Sequence, residues 1–244
     1  ARNADPKAKE ILTKLAESAP ADIAGRARLA LAEWEYQQID YPAAALQLQR
    51  ISSKGESPRE AALGVFLADS GEPDASPKAI DAARAFLSRF PNSEPEPSVR
   101  MKLGELLFLN GDYASARVEL ESLARKFPGS DFEVSALFLA AQAASRIPDP
   151  AATADAMVLF EEVAARDGSF SSRARLEQAA ILTSQGKPLE ANLVIDKVLS
   201  SSPDHVMKAT ALIEKGKNFY TLGAQDPANY KLAIEVWKQV ASEE

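Results

Sequence analysis

His205 is the only histidine in 244 residues, and the chain contains no cysteine. A zinc site built from nitrogen and sulfur ligands therefore cannot be assembled, and neither a disulfide nor a cysteine nucleophile is open to it. His205 follows Pro203-Asp204 at the expected start of a helix, where polar residues are ordinarily solvated, and no nucleophile-elbow pattern accompanies it. No GxGxxG or GxxxxGK[ST] stretch offers a cradle for phosphates. Carboxylates are plentiful, but neighbours such as Glu161 and Glu162 point in different directions on a helix and do not converge as acid and base. Asp40 and Asp112 stand in chain breaks, where aspartate accepts backbone donors in a turn. No catalytic residue, metal or cofactor is expected, and the chain reads as non-enzymatic.

The remaining composition points to helices. The sequence is 46% hydrophobic and 26% charged, which is a globular rather than a disordered balance. Abundant alanine and few aromatics favour close-packed helices over a sandwich or barrel. The net charge of −7 repels phosphate backbones and disfavours nucleic acid. No apolar run approaches the ~18 residues of a membrane span. The first residue is Ala1 rather than Met, so an excised or processed chain is expected.

Internal repetition organises the whole sequence. Small residues recur in mid-helix at Ala32, Gly64, Gly104, Ala141, Ala179 and Gly216. Each is followed by an alanine in the next helix, at Ala44, Ala79, Ala116, Ala156, Ala191 and Ala233. Four residues later stand Leu48, Ala83, Leu120, Phe160, Ile195 and Trp237. The spacing predicts helix pairs over 22–52, 58–89, 98–126, 131–166, 171–200 and 205–242. The turns fall at Gln38-Ile39-Asp40, Ser70-Gly71-Glu72-Pro73, Asn110-Gly111-Asp112, Ile147-Pro148-Asp149-Pro150, Gln185-Gly186-Lys187-Pro188 and 223–229. Ala8, Leu12 and Pro20 follow the same ruler, so 6–18 reads as a second helix without its first. Ile234, Trp237 and Val240 need cover, and the native chain is expected to continue or to pack its ends on something else. Antiparallel helices pack at ~8–10 Å; small residues permit that approach, and a bulky one would overpack it by roughly 1–3 kcal/mol.

The clearest copy, Leu103-Gly104, Leu107-Phe108, Gly111-Asp112-Tyr113, Ala116, Leu120 and Pro128, resembles the tetratricopeptide repeat (TPR) family. Degraded copies follow at Ala179, Gly186, Ala191, Ile195 and Pro203, and at Ala32, Asp40-Tyr41, Ala44 and Leu48. The slightly long interval from each closing proline, with Phe90-Pro91-Asn92-Ser93 and Phe127-Pro128-Gly129-Ser130, is similar to the branch found in bacterial cell-envelope proteins, of outer-membrane assembly and Tol–Pal-associated type.

The resemblance implies an all-α, right-handed solenoid of about six pairs plus a leading half-repeat. It implies one domain over 1–244: an incomplete repeat at 1–20, then 21–56, 57–93, 94–130, 131–168, 169–204 and 205–244. It also implies a concave groove lined by first helices, with Arg26, Glu33, Tyr36, Met101, Glu105, Phe108, Gln142, Arg173, Lys217 and Tyr220 facing a peptide or protein partner. The location that follows is periplasmic or outer-membrane-associated, with the cytoplasm as alternative. Other readings are a regulatory or targeting domain of a larger enzyme and, against the acidic charge, a helical-repeat RNA binder. Phe108, Tyr36 and Tyr220 could serve the core instead of the groove.

Overall fold

The computed structural model describes residues 6–38, 40–54, 64, 66, 76–93, 95–166 and 168–241. Among them are twelve helices and no strand. They fall into two compact units, Ala1–Asp112 and Tyr113–Glu244. The first unit holds α1 (Pro6–Ser18), α2 (Ala21–Gln37), α3 (Tyr41–Lys54), α4 (Ser76–Arg89) and α5 (Glu96–Leu109). The second holds α6 (Tyr113–Lys126), α7 (Glu133–Arg146), α8 (Pro150–Ala164), α9 (Ser169–Ser184), α10 (Pro188–Ser200), α11 (His205–Leu222) and α12 (Ala228–Ala241). Within the second unit each helix packs on the next, and α9 also touches α7 and α11. Stacked antiparallel pairs give this pattern, because one pair alone cannot bury both of its apolar faces. The expected first helix of 58–89 and its turn at 70–73 lie outside the described residues, apart from Gly64 and Phe66.

Local chemistry explains where the helices start and stop. Pro150 and Pro188 open α8 and α10 at positions whose N–H would have no helical partner. Asp149 caps α8 by accepting from the Ala151 N–H at 3.1 Å, and Asp204 caps α11 through Met207 at 2.8 Å. First helices end in a repeated hydrogen-bond pattern. Asp112 N–H donates to the Leu107 carbonyl and Lys187 N–H to that of Leu182, both at 2.9 Å. The residue between takes a left-handed backbone, φ 80° at Gly111 and 74° at Gly186, which is why glycine stands there. Asp40 N–H reaches the Glu35 carbonyl in the same way, and Asp40 Oδ1 accepts from Ala43 N–H at 3.3 Å. The last connection is shorter than its sequence suggests, because α12 already begins at Ala228.

The ruler of small residues marks the core. All six second-helix alanines are buried, and so are Ala32, Gly104, Ala141, Ala179 and Gly216; Gly64 is half-buried. At two glycines the reason is visible. A Cβ on Gly64 would lie 2.7 Å from both methyls of Leu48, and one on Gly216 would lie 2.1 Å from Trp237 Nε1. Between these points aliphatic side chains fill the layers, as where Leu182, Ile195 and Val198 close over Ala179, Ala191 and Ala211. Ala8 departs from the ruler. It is exposed, since α1 turns Leu12 and Ala16 toward Ala27 and Leu31 of α2. Of the C-terminal residues needing cover, Trp237 lies against Gly216, whereas Ile234 remains exposed.

Two charged devices bind neighbouring elements. Arg28 donates to the Ala16 carbonyl near the end of α1, and Arg175 to the Ala164 carbonyl at the end of α8, 2.9 Å away. Each cation sits at the negative end of the preceding helix. Glu96 and Glu133 hold the repeat junctions. Glu96 is wholly buried and accepts from Asn92 N–H at 2.6 Å and Arg100 Nε at 2.8 Å. Glu133 accepts from Gly129 N–H at 2.5 Å and Arg166 Nη1 at 2.7 Å. Asn92 and Gly129 are both left-handed, at φ 60° and 78°. The Gly129 bond, followed by Arg166, holds the Glu133 carboxyl below the usual range.

Candidate protein-binding site

In the first unit Arg26, Glu33 and Tyr36 are exposed and follow one face of α2 by their spacing. Leu29 lies between them on that face. Leu29, Glu33 and Tyr36, with Ala44 and Leu48 of α3 and Gly64, border a largely apolar cavity of about 430 Å³. A carboxylate and a phenol at the rim of an apolar hollow suit a partner side chain with an apolar body and a polar tip. Glu35, two residues after Glu33, turns inward instead. It is buried beside Lys9 Nζ at 3.8 Å. Burial pushes its carboxyl above the usual range, against the opposing pull of Lys9. On α5, Met101, Glu105 and Phe108 are half-buried, and Glu105 lies 3.5 Å from Lys102.

In the second unit side-chain hydrogen bonds tie together the helices that carry the expected residues. Gln142 of α7 donates to Glu177 of α9 at 2.9 Å. Thr183 of α9 donates to Asn218 of α11, which in turn donates to Asn192 of α10, both at 2.9 Å. Arg173 is exposed, with its guanidinium over Phe138 and Phe170 at 5.2 and 5.5 Å. Lys217 is exposed and pairs with Glu214 at 2.7 Å. Tyr220 is exposed on one side and packs against Tyr230 and Trp237 on the other, with centroids 5.2 and 6.1 Å apart. It thus contributes to packing and to surface at once. His205 is exposed at the start of α11. Glu161 and Glu162 turn to separate partners, Gln178 and Arg166.

Residues 62–131 match a family model described as tetratricopeptide repeat. That stretch is similar to the tetratricopeptide repeat. No curated protein matches the chain. Among solved structures it is similar to yeast Tom70, at 16% identity and TM-score 0.57, over 96% of this chain and 47% of that one. It is also similar to TPR-like repeats from Podosopora anserina described as those of a kinesin light chain, at 16% identity and TM-score 0.53, over 72% of this chain and 93% of that one. At such identity the likeness shows the fold: stacked TPR-like helix pairs. The chain spans about half the length of the Tom70 structure it matches.

The sequence reading missed Leu29, the aromatic platform under Arg173 and the Thr183–Asn218–Asn192 chain. Leu29 was within reach, since it lies three residues from Arg26 and four from Glu33 on the same helical face. The platform had no signal in spacing, because Phe138 and Phe170 come from different helix pairs.

Proposed function

We propose that this chain is a non-enzymatic scaffold that binds a segment of another protein along its first-helix face. The observation that carries the reading is the apolar cavity beside Leu29, rimmed by Glu33 and Tyr36 and sharing its helix face with Arg26. Apolar anchors beside a few polar groups are the arrangement that concentrates binding energy at protein interfaces. The partner segment is extended or helical and presents an apolar side chain flanked by a basic one. Its setting is a bacterial envelope complex, periplasmic or at the outer membrane; the Phe-Pro-Asn-Ser and Phe-Pro-Gly-Ser junctions support that placement. Among the described residues, no helix is long and apolar enough to cross a membrane.

The test is capture of partners from native lysate by the tagged protein and by a Glu33→Lys, Tyr36→Ser variant. Both side chains are exposed, so the variant keeps its circular dichroism and melting temperature. Its partner band should be lost. Full capture by the folded variant would remove the cavity from the interface.

A further inference from the structure

We infer that the cavity beside Leu29 takes a tryptophan side chain of the partner segment, an assignment that rests on that cavity being part of the interface. The occupant is read from the chain's own repeat. Ala32 and Gly216 hold the same place in α2 and α11, as Ala44 and Ala233 do in α3 and α12. Three residues before Ala32 and Gly216 stand Leu29 and Ile213, and four after them Tyr36 and Tyr220. Four residues after Ala44 and Ala233 come Leu48 and Trp237. In the α11–α12 pair the indole of Trp237 lies against α11. Its Nε1–H donates to the Ile213 carbonyl at 3.3 Å, its ring lies 6.1 Å from that of Tyr220, and Gly216 has no Cβ to obstruct it. The counterparts of these groups are Leu29, Tyr36 and Ala32, with Leu48 in the place of Trp237, and all four border the cavity of about 430 Å³ in the first unit.

The cavity is therefore the room that a leucine leaves where the equivalent site carries an indole. Leu48 and the Cβ of Ala32 take up its inner part, so an incoming ring lies farther out, between Leu29 and Tyr36. An aliphatic wall beside a phenol ring suits a flat aromatic side chain, which gains ring contact on one side and apolar burial on the other. The rim separates indole from purely apolar side chains. Lys217 follows Gly216, but Glu33 follows Ala32. Among the described residues no hydrogen bond or ion pair engages the Glu33 carboxylate. An indole N–H only donates, so an acid at the rim favours tryptophan over leucine or phenylalanine.

The test is calorimetric titration of the whole chain with acetyl-Lys-Trp-Lys-amide and with the same peptide carrying leucine or tyrosine at its centre. The tryptophan peptide should bind about tenfold more tightly than either of the others. Equal affinity for the leucine or the tyrosine peptide overturns the assignment. In a second arm, Ala32→Gly combined with Leu48→Trp rebuilds the pairing of Gly216 with Trp237 and closes the cavity from within. The folded variant should lose the tryptophan peptide, and undiminished binding overturns the assignment. Should that variant lose its helical circular dichroism, Tyr36→Leu replaces it. Removing this exposed ring should weaken the tryptophan peptide and leave the leucine peptide as it was; an unchanged tryptophan peptide, or equal weakening of both, overturns the assignment. Loss of capture by the Glu33→Lys, Tyr36→Ser variant beside equal binding of all three peptides would keep the cavity in the interface and remove only the tryptophan.

Discussion

Gly216→Ala should destabilise the second unit, although the same change in an ordinary helix stabilises. Alanine is favoured over glycine in a helix interior by about 1 kcal/mol. Here the new Cβ would fall 2.1 Å from Nε1, 2.5 Å from Cδ1 and 2.6 Å from Cε2 of Trp237. The indole must retreat by about 1.3 Å merely to bring Nε1 to a 3.4 Å contact. It is not free to do so without loss, because Nε1–H donates to the Ile213 carbonyl at 3.3 Å and the ring packs on Tyr220. Overpacking of this kind costs about 1–3 kcal/mol, so the net effect is a loss of about 1 kcal/mol. The decisive measurement is a double-mutant cycle with Trp237→Ala, by urea denaturation followed by circular dichroism. With the indole gone, Gly216→Ala should change sign and stabilise by up to about 1 kcal/mol. A stabilising Gly216→Ala in the presence of Trp237, or the same effect in both backgrounds, would refute the close approach as the reason for glycine at this position.

Arg175→Met should cost about 1.5–3 kcal/mol in the same denaturation assay, since the guanidinium holds both the Ala164 carbonyl and Ser171 Oγ. A loss below 0.5 kcal/mol, on the order of an ordinary surface change, would show that the end of α8 needs no cap. Glu35 should make the first unit less stable as pH rises. Its carboxyl titrates above the usual value near 4.5, so the folded state holds a proton that the unfolded state has released. Stability should fall from about pH 4.5 upward through the folded titration point. Glu35→Gln should flatten that part of the stability–pH curve, and an unchanged slope would count against burial as the cause. Loss of capture on changing Glu33 and Tyr36 completes the set.

The repeat was legible in the sequence because packing acts on single positions. Ala116, Ala156 and Ala191 are each wholly buried, and one small residue per helix at fixed spacing is enough to reveal that. The Asp40, Gly111 and Gly186 turns were legible for a similar reason: their hydrogen bonds close within six residues. What escaped depends on contacts between pairs. The rings beneath Arg173 come from α7 and α9, and the Arg175 cap reaches back eleven residues to a carbonyl whose identity leaves no trace in sequence. Ala8 shows the limit of a spacing argument. It obeys the ruler yet stays exposed, because burial needs a neighbouring helix as well as a suitable side chain. Of the residues that the resemblance implied for a groove, Arg26 and Lys217 are exposed, but only coordinates showed that Lys217 is already paired and that Arg173, among the described residues, is not.

The junction glutamates bear on how such a chain can grow. Glu96 accepts from Asn92 N–H and Arg100 Nε, and the three residues lie within nine consecutive positions. A gene segment copied with this stretch carries both of those bonds, the Arg100 counter-charge among them. The Glu133 joint differs: it also draws on Arg166, thirty-three residues downstream, beyond the end of the following helix. Duplication or deletion breakpoints between Glu133 and Arg166 would split that pair, whereas a cut just before Phe90 would leave the Asn92 and Arg100 bonds of Glu96 in one piece. Length variation among relatives of this chain should therefore spare the stretch from Glu133 to Arg166.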